Sequence, residues 1–176
     1  MIHHVCSLGS FCHTASHLER YNMRNSTYPF DWTLSSPQMV LDCLRDDFKT
    51  FLDPTHHVTV EPGISSNHRM YGSLVWGKNF DGIVKRNITF IHKDITMDEH
   101  YIYYKRCVER FRALLALPEP KLFILTAQDM EYNQQEIHEL RDMLCQKTKI
   151  HTYYVYRYSM IMNHAIRLIK KMELNI

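Results

Sequence analysis

The last third of the chain alternates between short apolar segments and amphipathic ones, and this alternation constrains the fold more than any other feature. Lys121–Ala127 and Ile150–Tyr156 are rich in apolar and aromatic residues, which is typical of strands buried on both faces. Helical spacing follows each of them, over Asn133–Gln146 and then Met160–Met172. This order predicts an α/β fold, in which one three-layer domain over 1–176 has a mainly parallel sheet with helices on both faces.

The beginning of the chain predicts a strand that leads directly into a helix. Ile2–Leu8 has the pattern of a short buried strand. Gly9 and Ser10 then supply a turn, with Ser10 as the N-cap of a helix. Apolar residues at helical spacing follow at Phe11, Ala15 and Leu18.

Two further helices are marked by their terminal residues. Ser36 as N-cap and Pro37 at the first helical position predict a helix over Ser36–Leu52, which ends before Asp53. A capping box at Thr96 and Glu99 predicts a long helix that runs to the proline at 118.

The middle of the chain predicts short strands separated by turns. The strongest strand patterns are Met70–Trp76 and Asn87–His92. Pro62-Gly63 and Asp81-Gly82 are turn sequences.

Composition narrows the class of protein. A chain of 176 residues with 45% hydrophobic and 23% charged residues is ordinary for one soluble domain. A net charge of +2 predicts no dense cationic face, so we expect no nucleic-acid partner. No apolar run is long enough for a membrane span, and the first residues do not resemble a signal peptide, so we expect no membrane association and a cytoplasmic location. Five scattered cysteines favour reduced thiols over a disulfide framework.

Sequence motifs for metals and cofactors are incomplete. Histidines at spacings that metals can use occur at His3-His4, His13 with His17, and His56-His57. No third ligand can be placed, and neither HExxH nor a pair of CxxC motifs is present. Gly9 belongs to no complete phosphate-binding motif. We therefore predict no metal and no cofactor.

The most informative segment places a thiol in the first turn of the first helix. In Ser7-Leu8-Gly9-Ser10-Phe11-Cys12, the helix N-terminus favours a thiolate at Cys12 and lowers the pKa of the thiol. Backbone amides of the same loop are suited to hold an oxyanion, so we predict Ser7, Gly9 and Ser10 to border the substrate. The alternative is a buried structural cysteine.

A base for this thiol is available at the end of a predicted strand. His92 follows the apolar residues Ile88 and Phe90 on the same face, and Asp31 or Asp94 is available to orient its ring. A hydrogen-bonded structural histidine is the alternative.

Two aromatic residues enclose an acid in an otherwise polar loop. Phe30 and Trp32 flank Asp31, which favours a loop folded over a site, with both aromatics at the substrate. The alternative is a plug over the core in which Asp31 accepts hydrogen bonds from neighbouring amides.

Several blocks, taken in order, resemble one family. They are Ser7-Leu8-Gly9-Ser10-Phe11-Cys12, Tyr28-Pro29-Phe30-Asp31-Trp32 with Ser35-Ser36, Phe48 to Leu52, Phe90-Ile91-His92 and Arg106 to Phe111. This set resembles the family described as papain-like cysteine peptidases. The resemblance implies a thiolate nucleophile at Cys12, a general base at His92 and an α+β papain-like fold as the alternative architecture. In that family an aspartate commonly follows the histidine directly, whereas Lys93 precedes Asp94 here, so Asp31 is favoured as the orienting acid.

The leading functional hypothesis is a thiol-dependent hydrolase or acyltransferase that acts on peptide, isopeptide or other acyl bonds. A peptide or protein is the expected substrate. One alternative is a non-catalytic protein-binding module or degenerate enzyme. A second is a sugar- or nucleotide-utilising transferase, in which Gly9 and Ser10 hold a phosphate.

Overall fold

The computed structural model describes residues 2–72, 88–127 and 133–148, together with the backbone of 152–158. Its elements are β1 (His4–Ser7), α1 (Cys12–Arg20), α2 (Pro37–Arg45), β2 (His57–Glu61), β3 (Ser65–His68), α3 (Asp98–Ala116), β4 (Lys121–Ala127), α4 (Gln134–Thr148) and β5 (Thr152–Tyr158), with a short 3₁₀ turn at Pro54–His56. The predicted final helix, the turn at 81–82 and most of the predicted strand at 70–76 lie outside the described residues.

The main sheet is parallel, as the alternation predicts. Its order is β1-β4-β5, with His4 opposite Lys121 and Lys121 opposite Thr152. Because β1 and β4 pair parallel, their carboxyl ends meet at one edge of the sheet. No described helix is long and apolar enough to cross a membrane.

Helices cover both faces of this sheet, which confirms the predicted α/β class. On one face, Cys6 and Phe123 belong to the large apolar core that includes residues of α2, α3 and α4. On the other, Val5 and Ile124 pack with Leu18 of α1. The large core is rich in aromatic pairs with ring centroids 4.8–6.4 Å apart, formed by Phe30, Phe48, Phe51, Phe90, Tyr104, Phe111 and Phe123. Such edge-to-face pairs add to the free energy gained from burial.

Helix α2 begins where its terminal residues predict and ends earlier. Ser36 Oγ accepts a hydrogen bond from the Met39 N–H (3.1 Å), and Pro37 occupies the first helical position. The predicted end at 52 is wrong, because Asp47 and Phe48 adopt left-handed backbone angles with φ of 55° and 60°. The apolar pattern continues through this turn since Phe48 and other residues beyond the helix are still buried.

Two predicted caps are wrong, since their hydroxyls bond elsewhere. Phe11, not Ser10, precedes α1, and Ser10 Oγ donates to the Thr126 carbonyl oxygen (2.6 Å). Met97 precedes α3, while Thr96 Oγ1 donates to Asp94 Oδ1 (2.7 Å). In both places the capping motif assigns the hydroxyl to the helix N-terminus, but the hydroxyl donates to another acceptor nearby.

The middle of the chain forms a hairpin and an irregular segment. β2 and β3 pair antiparallel around the predicted turn at Pro62-Gly63. The predicted strand at 87–92 is replaced by isolated bridges of Phe90 to Thr33 and to Ser66, and His92 follows in a bend. This segment therefore depends on its neighbours for its conformation.

Three rings pack around His68, which pairs with His57 at one end of the hairpin. The His68 ring centroid lies 5.3 Å from that of His56, 5.6 Å from that of His57 and 4.4 Å from that of Tyr71. His68 is fully buried. A charge on this ring is therefore costly.

Hydrogen bonds fix the neutral form of His68. The Met70 N–H donates to Nδ1 (3.3 Å), so the ring proton is on Nε2, which donates to the Thr50 carbonyl oxygen (2.9 Å). Burial lowers the pKa of His68 to about 4, although the Thr50 carbonyl opposes this shift. Protonation of Nδ1 would remove the bond from the Met70 N–H, whereas Nε2 would still donate to the Thr50 carbonyl oxygen.

We expect His68→Gln to flatten the acid dependence of stability. The folded-state pKa of His68 lies below the unfolded value of about 6.5, so the unfolded chain binds more protons in this window and stability is lost as pH falls from about 6.5 toward 4. Glutamine removes that titration. The measurement is the free energy of urea unfolding across this window. Parallel curves for wild type and variant would contradict the assignment.

Candidate active site

Cys12 is the first residue of α1 and its side chain is half-buried. The chain reaches it from β1 through Gly9, whose φ of +96° favours glycine. A Cβ at Gly9 would overlap Ser35 Oγ, so this loop packs closely against the segment around Ser35. The predicted order of strand, tight turn and thiol at a helix start is confirmed.

The amides of Gly9 and Ser10 are already bonded within the protein. The Gly9 N–H donates to Ser7 Oγ (3.2 Å), and the Ser10 N–H donates to the Thr126 carbonyl oxygen (3.3 Å). Neither group is therefore available to an oxyanion or a phosphate. The N–H of Cys12, in the first turn of α1, is the remaining candidate.

A short extended segment, 33–35, joins the Cys12 loop to the chain that carries His92. On one edge, the Ser35 N–H donates to the Ser10 carbonyl oxygen (3.1 Å) and Ser35 Oγ donates to the Leu8 carbonyl oxygen (2.8 Å). On the other edge, the Leu34 N–H donates to the Thr89 carbonyl oxygen (2.8 Å). The segment 33–35 is therefore bonded directly both to the loop before Cys12 and to the chain before His92.

The outward face of this segment is apolar. Exposure alternates along it, because Asp31, Thr33 and Ser35 are fully buried whereas Trp32 and Leu34 are partly exposed. We call Trp32 and Leu34 the apolar strip. It lies between the backbone leading to Cys12 and the backbone leading to His92.

His92 is exposed and rests on Trp32. The two ring centroids are 5.8 Å apart and the rings meet edge to face. Partial burial lowers the pKa of His92, and the Lys93 charge lowers it further. The imidazole is therefore mostly neutral near pH 7, as a general base requires.

No hydrogen bond joins Cys12 to His92 in the described structure. Burial raises the pKa of the Cys12 thiol, and only its own backbone N–H opposes this shift. The expected lowering is thus not found, because the loss of solvent around the sulfur outweighs the favourable helix end. In this structure Cys12 is a neutral thiol.

Asp31 lies in the protein interior beside Trp32. Its Oδ2 accepts a hydrogen bond from the Tyr28 N–H (2.9 Å), and Arg24 Nη1 is 3.9 Å from Oδ2. Burial raises the pKa of Asp31 to about 7, and these two groups reduce the shift without cancelling it. Arg24 also lies over the Trp32 ring, 5.4 Å from its centroid. Asp31 makes no hydrogen bond to His92. Its neighbour in the chain, Trp32, is the residue that contacts the His92 ring.

Asp94 holds the loop that follows His92. Its carboxylate accepts hydrogen bonds from Thr59 Oγ1 (3.2 Å), the Gly63 N–H (3.3 Å) and the Thr96 N–H (3.2 Å). It makes none to the His92 ring. Neither predicted acid therefore orients the imidazole directly, and the described ring contact is made by Trp32.

Most of the other predicted site residues are buried and packed against the rest of the protein. Ser7, Ser10 and Phe30 are buried to within 1% of full burial, and Gly9 fits closely against Ser35. Of the predicted substrate-contacting set, Trp32 has an exposed surface. Sequence reasoning missed Leu34, whose only signal is its alternation with buried neighbours.

The described residues contain no group of three or more histidine, cysteine or acidic side chains that could hold a metal ion.

Together these features define an α/β protein in which Cys12 begins the helix that follows the first strand of a parallel sheet, and His92 lies exposed against Trp32. A family model matches residues 3–165, and the chain belongs to that family, which is described as "Putative papain-like cysteine peptidase (DUF1796)". Comparisons with curated proteins and with solved structures gave no match.

We expect Cys12 of the ligand-free protein to react slowly with iodoacetamide at neutral pH. The neutral thiol is a poor nucleophile, so its labelling rate near pH 7 should lie below that of N-acetylcysteine and rise with pH. Mass spectrometry of the Cys12 peptide measures the rate, and Cys145, also half-buried, reports general accessibility. Rapid labelling of Cys12 below about pH 7 would indicate a preformed thiolate and contradict this expectation.

Asp31→Asn should remove a pH-dependent cost of folding. The folded state keeps the Asp31 proton up to about pH 7, whereas the unfolded chain releases it near its ordinary pKa of 3.8, so stability falls as pH rises through this window. The Tm of the variant relative to wild type should be higher at about pH 8 than at about pH 5. A shift of a few degrees is expected, since about 1 kcal/mol corresponds to ~2–4 °C at this size. A difference independent of pH would argue against the buried proton.

Proposed function

We propose that this protein is a thiol-dependent acyl hydrolase that cleaves peptide or isopeptide bonds, with Cys12 as nucleophile and His92 as general base. The observation that carries the proposal is the segment 33–35, which is bonded on one edge to the Cys12 loop and on the other to the His92 chain. Family membership supports the same class of chemistry.

The proton of Cys12 moves to His92 during attack. As the sulfur forms its bond to the acyl carbon, the imidazole takes the thiol proton and the carbonyl electron pair moves to oxygen. When the tetrahedral intermediate collapses, His92 returns the proton to the departing amine and a thioester remains on Cys12. Water, deprotonated by His92, then cleaves the thioester and releases the acid and the free thiol.

The resting protonation states suit this general-base route. The pKa of Cys12 is raised and that of His92 is lowered, so both groups are neutral before substrate arrives. A preformed thiolate–imidazolium pair requires the opposite shifts. Activation therefore takes place in the complex, when substrate closes the distance between sulfur and imidazole.

The apolar strip gives the substrate a place to lie. An extended peptide over Trp32 and Leu34 has Cys12 toward one side and His92 toward the other, with its side chain on an apolar surface. We assign the carbonyl oxygen to the Cys12 N–H in the first turn of α1. This arrangement favours substrates with an apolar residue next to the cleaved bond.

Cys12→Ala is expected to abolish turnover, and His92→Ala to lower kcat by about 10²–10⁴-fold, the usual contribution of a general base. The assay is cleavage of a peptide library, read by mass spectrometry, with an acyl-enzyme trapped by acid quench. Cys145→Ala is the matched control, because it removes another half-buried thiol from a different element. Turnover that survives Cys12→Ala, or an adduct on another cysteine, would refute the proposal.

A non-catalytic binding protein is the second candidate, and one observation favours it. The neutral Cys12 without a hydrogen bond to His92 is also what a degenerate enzyme has. A binding module keeps its affinity for a peptide partner in Cys12→Ala and loses it in Trp32→Ala. Partner capture followed by quantitative affinity measurement on both variants separates the two functions.

A further inference from the structure

We propose that Ser66 is the residue that positions His92, by holding the irregular segment 90–95 from both ends. Its catalytic consequence rests on the proposed function, whereas its effect on the His92 ring does not. His92 lies in a bend between Phe90 and Ile95, outside any regular element. Its exposed ring contacts Trp32, but that contact does not hold the backbone on either side of His92.

The main chain of Ser66 holds the segment before His92. The Ser66 N–H donates to the Phe90 carbonyl oxygen (3.0 Å), and the Phe90 N–H donates back to the Ser66 carbonyl oxygen (2.9 Å). The Thr89 N–H donates to the same carbonyl oxygen (3.2 Å). The chain is thereby fixed two residues before the imidazole.

The side chain of Ser66 holds the segment after His92. Its Oγ accepts a hydrogen bond from the Ile95 N–H (2.9 Å) and donates one to the Lys93 carbonyl oxygen (3.3 Å). One hydroxyl thus uses both its donor and its acceptor on the residues that follow the imidazole. His92 lies between the two sets of bonds.

Ser66 is itself firmly placed. It is fully buried in β3, and its register partner on β2 is Thr59. Thr59 Oγ1 in turn contacts the Asp94 carboxylate (3.2 Å), so the hairpin also holds the residue just beyond Lys93. On the opposite side, Thr33 forms the other bridge to Phe90.

Removing the Ser66 hydroxyl should release only the part of the segment that follows His92. In Ser66→Ala the main-chain bonds to Phe90 remain, while Lys93 and Ile95 each lose a hydrogen-bond partner. The bend then has additional conformations, and the His92 ring leaves Trp32 for part of the time. Ser65→Ala is the matched control, since Ser65 is a buried neighbour in β3 and its hydroxyl has no hydrogen bond in the described part of the chain.

The test uses Trp32 fluorescence, because a protonated imidazole in contact with an indole quenches its emission. All variants carry Trp76→Phe, so Trp32 is the single indole. A pH titration gives the quenching amplitude and its midpoint, and His92→Ala should abolish the transition. We expect Ser66→Ala to lose at least about half of the amplitude, with a midpoint closer to the ordinary histidine value of about 6.5. Ser65→Ala should match the parent.

An unchanged transition in Ser66→Ala would overturn the proposal. If that variant does not fold, native-state hydrogen exchange of the parent protein decides instead. The Ile95 amide, which donates to Ser66 Oγ, should then exchange no faster than the amides of β3, and free exchange of Ile95 beside a protected β3 would overturn it.

A kinetic measurement links the positioning to activity. If turnover is found, Ser66→Ala should lower kcat by about 10–100-fold with little change in KM, since a small misplacement of a base costs about this much. An unchanged kcat would overturn the catalytic part. Absence of turnover in the parent refutes the proposed function alone, because the fluorescence result on Ser66 stands independently.

Discussion

The structure around Cys12 depends on hydrogen bonds that the segment 33–35 makes on both edges. Ser35 holds the loop after β1, and Leu34 and Thr33 hold the chain before His92. The loop and the segment can approach this closely because Gly9 has no side chain, and Ser35 Oγ lies where a Cβ would be. Three distant parts of the sequence are thereby joined by hydrogen bonds, most of which are between backbone groups.

The sequence predicts the sheet and the starts of several elements, because those depend on local patterns. Lys121–Ala127 matches β4 as observed, and Ser36 with Pro37 begins α2 where expected. The predicted cap at Ser10 fails because a tertiary acceptor competes for its hydroxyl, the carbonyl of Thr126, which is 116 residues away in the chain. No window of sequence contains that information.

In the candidate site, too, features set by local sequence are predicted and features set by tertiary packing are not. The place of Cys12 at a helix start follows from its local sequence. For the loop around Asp31 the structure matches the alternative of a plug over the core, because Phe30 is buried in the core and Asp31 accepts a hydrogen bond from the Tyr28 N–H. The predicted lowering of the Cys12 pKa is wrong, because burial of the sulfur raises it and that burial is set by packing that the sequence does not display. The role inferred for Ser66 likewise had no local signal, since its partners are 23 to 29 residues further along the chain.

The pairing of Ser10 with Thr126 has a consequence for biosynthesis. A ribosome delivers the thiol-bearing helix long before it delivers β4, whose carboxyl end completes the loop in front of that helix. Contacts of such long sequence separation form late in folding. The 116 residues that separate Ser10 from Thr126 must therefore be synthesised before the loop that precedes Cys12 can be completed.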